Sequence, residues 1–461
     1  MASNLLKTLE KIEKGRKKCV KLANEVNYPL PEDASLEQIA QCINAQGYAD
    51  EYYADYKAWL SKDFSALPEG KLRLPDDLET IGDRAFYYQT DLDFIWPRNL
   101  KRIGSNAFRN GSFKSRVIDI PNTVTRIDTY AFDYLSGAHT INVPSSVTTI
   151  AGYTFLHTPT NTVINFDGRV KTLEMSTFGN GNSSSTGIGA TINMTDEAVD
   201  CIETMKSSVF ECSVLPRVPW TEKTKLGLST DSSPASSVFK YVKWLCPVKI
   251  PSTLWYEKYT TIGGSQFAYG WFTEGLEFDS DIHSTILDSY SFQGVRVSND
   301  VLEFPESVNN LSTYACKDMC KYNATTPSST NTKIDRLIFP NKEKMTFSSQ
   351  SLNNVWANNI IIYAKTLTMT SSSQCFTMSS STSGCGNIVF LNMDSVPTIV
   401  SNTFATGNFS SGKSFIYLPD DLVAEAKAKQ YWSSVASYIK PLSEWPLYEE
   451  YKEHILPREE A

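Results

Sequence analysis

Apolar positions recur along this chain with a fixed period. The segment LPDDLETIGDRAF, Leu74 to Phe86, is rewritten as WPRNLKRIGSNAF (Trp96 to Phe108), IPNTVTRIDTYAF (Ile120 to Phe132) and VPSSVTTIAGYTF (Val143 to Phe155). The shared pattern is P-x-x-[LV]-x-x-I-x-x-x-[AT]-F. Its isoleucine column holds Ile81, Ile103, Ile127 and Ile150 and continues at Leu173. Its phenylalanine column holds Phe86, Phe108, Phe132, Phe155 and Phe178, at intervals of 22, 24, 23 and 23 residues. A period in the twenties marks a solenoid, in which a unit too small to bury its own apolar face buries it on its neighbours.

Just before the proline, apolar residues alternate with mostly polar ones: Leu72 and Leu74, Phe94 and Trp96, Ile118 and Ile120, Ile141 and Val143, Ile164 and Phe166. Alternation over a short run predicts a half-buried strand, and proline, which has no N–H to donate, ends it. The apolar residues three and six places after the proline predict a second short strand or turn. The phenylalanine, eleven places after, is large enough to fill the coil; burying one stabilises by about 1.5–3 kcal/mol. Each unit is therefore expected to be two short extended segments with a connecting turn or brief helix.

The second half repeats the pattern less cleanly. FPESVNNLSTYAC places Cys316 in the phenylalanine column, DIHSTILDSYSF ends at Phe292, MDSVPTIVSNTF ends at Phe404, and AKTLTMTSSSQC puts Cys375 in the column. Stretches rich in Ser, Thr, Asn and Gly separate the units. TINMTDEAVDCIETMKSS, 191–208, has a strand-then-amphipathic-helix layout. The expected organisation is a first array over 71–208 with a cap at 191–208, a linker or insertion over 209–248, a second, degenerate array over 249–413, and a C-terminal cap and tail over 414–461. One solenoid or two remains open at this point.

The proline, isoleucine and Ala-Phe columns resemble BspA-type leucine-rich repeats, found in bacterial surface proteins and in some bacteriophage proteins. SFIYLPDDLVAEAKAKQYWSSVASYIKPLSEW, Ser414 to Trp445, is similar to the C-terminal cap of such arrays. The resemblance implies a mainly β solenoid of about 23-residue period, closed by a capping helix. Residues 1–47 read differently. Leu5, Leu9, Ile12, Cys19, Leu22 and Val26 have helical spacing, and Ser35 followed by Gln38 starts a second helix with a capping box. This helical hairpin is too small to stand alone. Ile12-x-x-Gly15-Arg16 with EDASLEQIA is similar to a small helical module of phage and prophage virion proteins, which implies docking to a particle; a generic docking or oligomerising hairpin is the alternative. The aromatic-rich residues 48–70 form the connector.

Composition narrows the function. The chain has 461 residues, 41% hydrophobic and 20% charged, with a net charge of -8 and a pI near 5.3. It can bury a core, and it lacks the basic footprint of a nucleic-acid binder. No apolar run reaches membrane-spanning length, and the charged N-terminus does not read as a signal peptide. Nine cysteines without a CxxC are expected as free thiols. Gly407 to Ser414, GNFSSGKS, satisfies the P-loop pattern but leads into a strand rather than a helix, so it reads as an inter-repeat loop. His139, His157, His283 and His454 have no metal spacing, and acids such as Asp76, Asp77 and Glu79 occupy variable turn positions. Trp255, Tyr256, Tyr259, Tyr269 and Trp271 cluster outside the repeat columns, as interface anchors or as core packing.

These readings exclude no class outright but favour a non-enzymatic chain with no cofactor and no metal. The expected function is a bacteriophage virion structural protein, a head or tail fibre or appendage, displaying the solenoid for host attachment or contacts with other virion proteins. Residues 1–47 would dock it, as a homo-oligomer, and the partner would be a host surface protein or glycan. The alternative is a BspA-like bacterial adhesin; a glycan-acting enzyme comes last.

Overall fold

The computed structural model describes residues 72–457 apart from 138, 181–188, 229, 325–331, 371–373, 377–385 and 405–413. The expected helical hairpin and connector lie outside the described residues. The described residues form a β-solenoid of about 13 turns with few helices.

One turn shows the construction. Thr140–Val143 is a strand whose Ile141 and Val143 are buried while Thr140 and Asn142 are half-exposed. Pro144 ends it, and the Val147 N–H donates to the Pro144 carbonyl (3.1 Å), folding the chain through a corner. Thr149–Ile150 then forms a second, shorter strand with Ile150 inward. A second corner carries Phe155 into the interior and returns the chain to the first wall. Every strand pair among the described residues is parallel and offset by one turn: Ile141 lies against Ile118 and Ile164, and Ile127 against Ile103 and Ile150. The first wall contains a nine-stranded sheet from Val117–Asp119 to Cys320–Lys321 and a six-stranded sheet from Val301–Glu303 to Ile439–Pro441; the second wall divides into sheets of four, three and five strands.

The stretch 209–248, expected to be a linker or insertion, is coil. Val214–Leu215 pairs with the Thr191–Met194 strand before it and the Lys243–Trp244 strand after it. This region changes the spacing of its prolines and replaces the isoleucine with Leu226, but keeps interior aromatics, Phe210 and Phe239, both fully buried. For the same reason 191–208 does not cap anything. Its helix, Asp196–Cys201, starts on a Thr195 side chain that accepts from the Ala198 N–H (3.2 Å), and it bulges from the side of a turn whose strand has partners on both edges. The described turns form one array, not two.

The phenylalanine corner explains the repeat. In the first turn the N–H groups of Arg84, Phe86 and Tyr88 donate to the Ser105, Ala107 and Arg109 carbonyls of the next turn, at 2.8–3.0 Å. Those of Ala85, Tyr87 and Gln89 close turns back onto Gly82, Arg84 and Phe86. Alternate amides can serve the two directions because the residues two before and two after the phenylalanine are left-handed. Arg84, Asn106, Tyr130, Tyr153 and Ser176 have φ of 53–63°, and Tyr88, Asn110, Tyr134 and His157 have φ of 52–59°. A left-handed non-glycine costs about 1–2 kcal/mol. The complete pairing of corner amides offsets that, since a buried unpaired N–H would cost a similar amount. Gly294 takes the second of these positions next to Tyr269; there a Cβ would meet the tyrosine ring at 2.4 Å.

Between the corners the phenylalanines stack. Phe86, Phe108, Phe132, Phe155, Phe178, Phe210, Phe239, Phe267 and Phe292 follow one another with ring centroids 5.2–5.9 Å apart and interplanar angles of 1–23°. This spacing is close to the 4.7–4.9 Å between neighbouring strands, so rings advance in step with the backbone. Buried Cys316 and Leu352 continue the column. The next member is Phe376, not Cys375: the Phe376 N–H donates to the Thr403 carbonyl (3.1 Å), and its ring stacks on Phe404 at 5.3 Å. Cys375 is instead a neighbouring buried thiol whose Sγ lies 3.2 Å from the Ser348 carbonyl.

The end of the stack is covered. After the Ile416–Leu418 strand and Pro419, the helix Val423–Ala428 leads to Trp432, which is fully buried 5.2 Å from Phe404 and donates its indole N–H to the Pro397 carbonyl (2.9 Å). Ile439–Pro441 pairs as the last strand. The tail then turns back over the outer face of the six-stranded sheet, where Leu442, Trp445 and Tyr451 pack on Ile338, Ile361, Tyr363, Val389, Leu391 and Tyr417. Upstream the outer face is polar: Asp119, Asn142, Asn165 and Asn193 form a ladder of side-chain hydrogen bonds, 2.5–2.9 Å, one rung per turn.

Two outcomes follow from this packing. Phe132→Ala removes a ring from the middle of the stack and is expected to destabilise by about 3–5 kcal/mol in urea unfolding; a loss near zero would contradict the inward stack. Truncation after Pro441 uncovers the outer face of the last strands and is expected to raise dye binding and self-association, whereas an unchanged, monodisperse product would contradict the covering role of the tail.

Candidate binding surface

Between its three- and five-stranded sheets the second wall carries an insertion. Five residues separate Ile81 from Phe86, Met205 from Phe210 and Ile262 from Phe267, but thirteen separate Leu226 from Phe239. The eight extra residues leave the wall after Lys225–Leu226, the last strand of the three-stranded sheet, before the five-stranded sheet starts at Thr261–Ile262. Gly227 makes the exit with φ at +88°, where a Cβ would stand 2.9 Å from the Ala235 nitrogen. The loop is then tied down. The Leu228 N–H donates to the Asp231 carboxylate (2.8 Å), Lys258 Nζ donates to the Asp231 carbonyl (2.5 Å), and the Tyr259 hydroxyl lies 3.0 Å from both the Leu228 and Asp231 carbonyls.

Between this loop and the wall lies a cleft of about 760 Å³. Hydroxyls line much of it, from Ser232, Ser233, Ser236, Thr260 and Thr261, and its charges balance: Lys206 and Lys258 against Asp231 and Asp288. Lys206 is also paired with Glu174 at 2.7 Å. Exposed Met175 and Leu228 add apolar surface at the cleft. Such a lining presents many short hydrogen-bonding groups and no net charge. No histidine or cysteine lines it.

The five candidate aromatics do not form one exposed patch. Trp255 is 1% exposed and part of the core, and Tyr259 is 4% exposed and anchors the loop. Tyr256 is half-buried, edge-on to Tyr259 at 5.9 Å, with the Lys225 ammonium 5.8 Å from its ring. Tyr269 stacks on Tyr241 at 4.8 Å at the left-handed position two after the column, while Tyr130 pairs with Tyr153 and Tyr290 with Tyr314 at the position two before it. Trp271 lies on the first wall between Lys243 and Arg296, whose cations stand 6.0 and 5.1 Å from its ring in the adjacent turns.

The remaining motifs take structural places. His139 sits between the Ser115 and Ser136 carbonyls at 3.1 and 2.7 Å. His157 holds the Asp133 carboxylate at 2.9 Å, and burial nevertheless raises that carboxyl above its ordinary range. The six described cysteines are free thiols, and burial pushes Cys212 up to about 12, far from a reactive thiolate. Residues 407–413 of the P-loop pattern lie outside the described residues; the element that follows is the strand Ile416–Leu418, not a helix. Among the described residues no group of acidic, histidine and cysteine side chains is arranged to hold a metal, and no helix is long and apolar enough to cross a membrane.

Comparison with known families identifies the repeat. The BspA type leucine rich repeat region matches in six copies, over residues 62–185 and 233–346. The chain belongs to this family. No curated protein matches it. The first matched block ends near the helix Asp196–Cys201, and the second starts inside the inserted loop; the unmatched stretch between them holds turns that keep the BspA-type interior while losing its surface letters. BspA-type repeats suggest a surface or adhesin-type role in protein interaction.

The loop anchor is testable. Tyr259→Phe removes the hydroxyl shared by two loop carbonyls and is expected to cost about 1 kcal/mol and to speed proteolytic nicking within 227–236. Cleavage at the wild-type rate would mean that the loop does not depend on it.

Proposed function

We propose that the chain is a recognition and display protein rather than an enzyme, carried on a bacteriophage particle as part of a head or tail fibre or appendage. The tied-down loop and its cleft carry the recognition half of this reading: an eight-residue insertion opens the second wall, and hydroxyl and charged groups line the opening. The residues Ile12, Gly15 and Arg16 with the helix start at Ser35 support the virion half, as a short docking module that would join the solenoid to other virion proteins as a homo-oligomer. The ligand would be a host surface protein or glycan.

Membership of the BspA-type family favours a second reading, an adhesin on a bacterial surface. Antibody labelling of purified phage particles and of uninfected cells, viewed by electron microscopy, separates the two. Label on particles is expected; label on uninfected cells alone would overturn the virion reading in favour of the adhesin. Deleting 1–47 is expected to leave the melting of the solenoid unchanged and to abolish incorporation into particles, and normal incorporation would remove the docking role of that segment.

A further inference from the structure

The returning tail leaves a cavity at its leading end, about 370 Å³, on the outer face of the six-stranded sheet. Tyr451 and His454 of the tail form one side, and Glu303, Glu306, Lys342 and Tyr363 stand on the other. Glu450 also reaches it, but that carboxylate is paired with Arg336. Glu303 and Glu306 have no ion pair among the described residues, so the two free carboxylates outnumber the one lysine. Tyr363 is 5% exposed and lines the cavity, yet its hydroxyl makes no hydrogen bond to any described residue. The Tyr363 side chain lines the same space as the two carboxylates. The rings of Tyr363 and His454 lie 5.4 Å apart and those of His454 and Tyr451 5.9 Å, making an aromatic side to the cavity.

The chain already uses this chemistry on itself. Arg336 lies with its guanidinium 5.7 Å from the Tyr451 ring while pairing with Glu450 and contacting the Tyr451 hydroxyl at 3.3 Å. The cavity next to it repeats that set of groups, ring, carboxylate and phenol, without an occupant from the described residues. We propose that it takes an arginine side chain of a partner polypeptide. Glu303 and Glu306 accept from the guanidinium, the aromatic side offers a ring face to the cation, and the Tyr363 hydroxyl donates to a backbone carbonyl of the same peptide. The site is built from the tail and the last strands, separately from the hydroxyl-lined cleft, and does not depend on what that cleft binds.

Calorimetric titration of the full chain with acetyl-Gly-Arg-Gly-amide and with its citrulline analogue tests this, because citrulline keeps the shape and removes the charge. Saturable binding of the arginine peptide is expected, weakened about tenfold or more for citrulline and for Glu303→Gln combined with Glu306→Gln, as loss of charge-assisted hydrogen bonds implies. Tyr363→Phe, which keeps the packing, is expected to weaken the arginine peptide severalfold while leaving thermal melting unchanged. No binding by the wild-type chain, equal binding of the citrulline peptide, or undiminished binding by the doubly substituted chain would each overturn the proposal. Equal affinity for free arginine amide would overturn the polypeptide part of it.

Discussion

The structure depends on registry between rings and backbone. Stacked phenylalanines repeat at 5.2–5.9 Å, and parallel strands repeat at nearly the same distance. A coil can therefore keep one aromatic per turn in contact with the next without drifting. Each such contact adds about 0.5–1.5 kcal/mol to the burial of the ring itself. The corner that delivers the ring inward requires two left-handed residues, and the column of hydrogen bonds between corners holds them there. Ring stack, corner ladder and wall strands are three consequences of a single geometry, and each turn supplies the template on which the next one closes.

A frame of this kind confines variation. Residues inside the coil answer to the neighbour above and below, while those outside answer to water or to a ligand. The chain uses that freedom in three ways: an asparagine ladder on the outer face of early turns, a charged and aromatic strip at Lys243, Trp271 and Arg296, and an eight-residue loop that opens a cleft in the second wall. The interior continues past the loop because Phe210, Phe239 and Phe267 remain stacked at 5.9 and 5.7 Å. New surface can thus be added to the BspA-type coil without disturbing what holds it together. At the far end, Trp432 stops the stack and the tail covers apolar strands that would otherwise invite association.

Much of this was readable from spacing. The isoleucine and phenylalanine columns and the strand before each proline follow from period and residue type, and the cap at Trp432 from the resemblance to BspA-type arrays. The turns at 209–248 were not, because the pattern was sought in exact letters, proline and isoleucine, while the interior demands only an apolar side chain of the right size, and buried Met205 and Leu226 stand in the isoleucine column. The same reasoning misplaced the column at Cys375: Phe376 stands one residue on, and burial decides between them. Two signals went unused. Tyr, Asn and Ser recur two places before the phenylalanine, where a left-handed backbone favours small or polar residues or demands an edge aromatic. The last strands read IIIY and FIYL without alternation, the mark of a sheet covered on both faces. The cleft was hidden because its lining comes from several turns, and only the thirteen-residue gap between Leu226 and Phe239 announced it. The five candidate aromatics, close in sequence, fall on different walls of the coil.

The central claim is that one uninterrupted coil runs through 209–248. Native-state hydrogen exchange read by mass spectrometry tests it most directly. Peptides covering Phe210, Val214–Leu215 and Lys243–Trp244 should be protected as strongly as those around Phe132 and Phe292, because their amides belong to the same ladders. Rapid exchange across 209–248 between two protected flanks would instead mean two separate arrays joined by a linker, and would contradict the account.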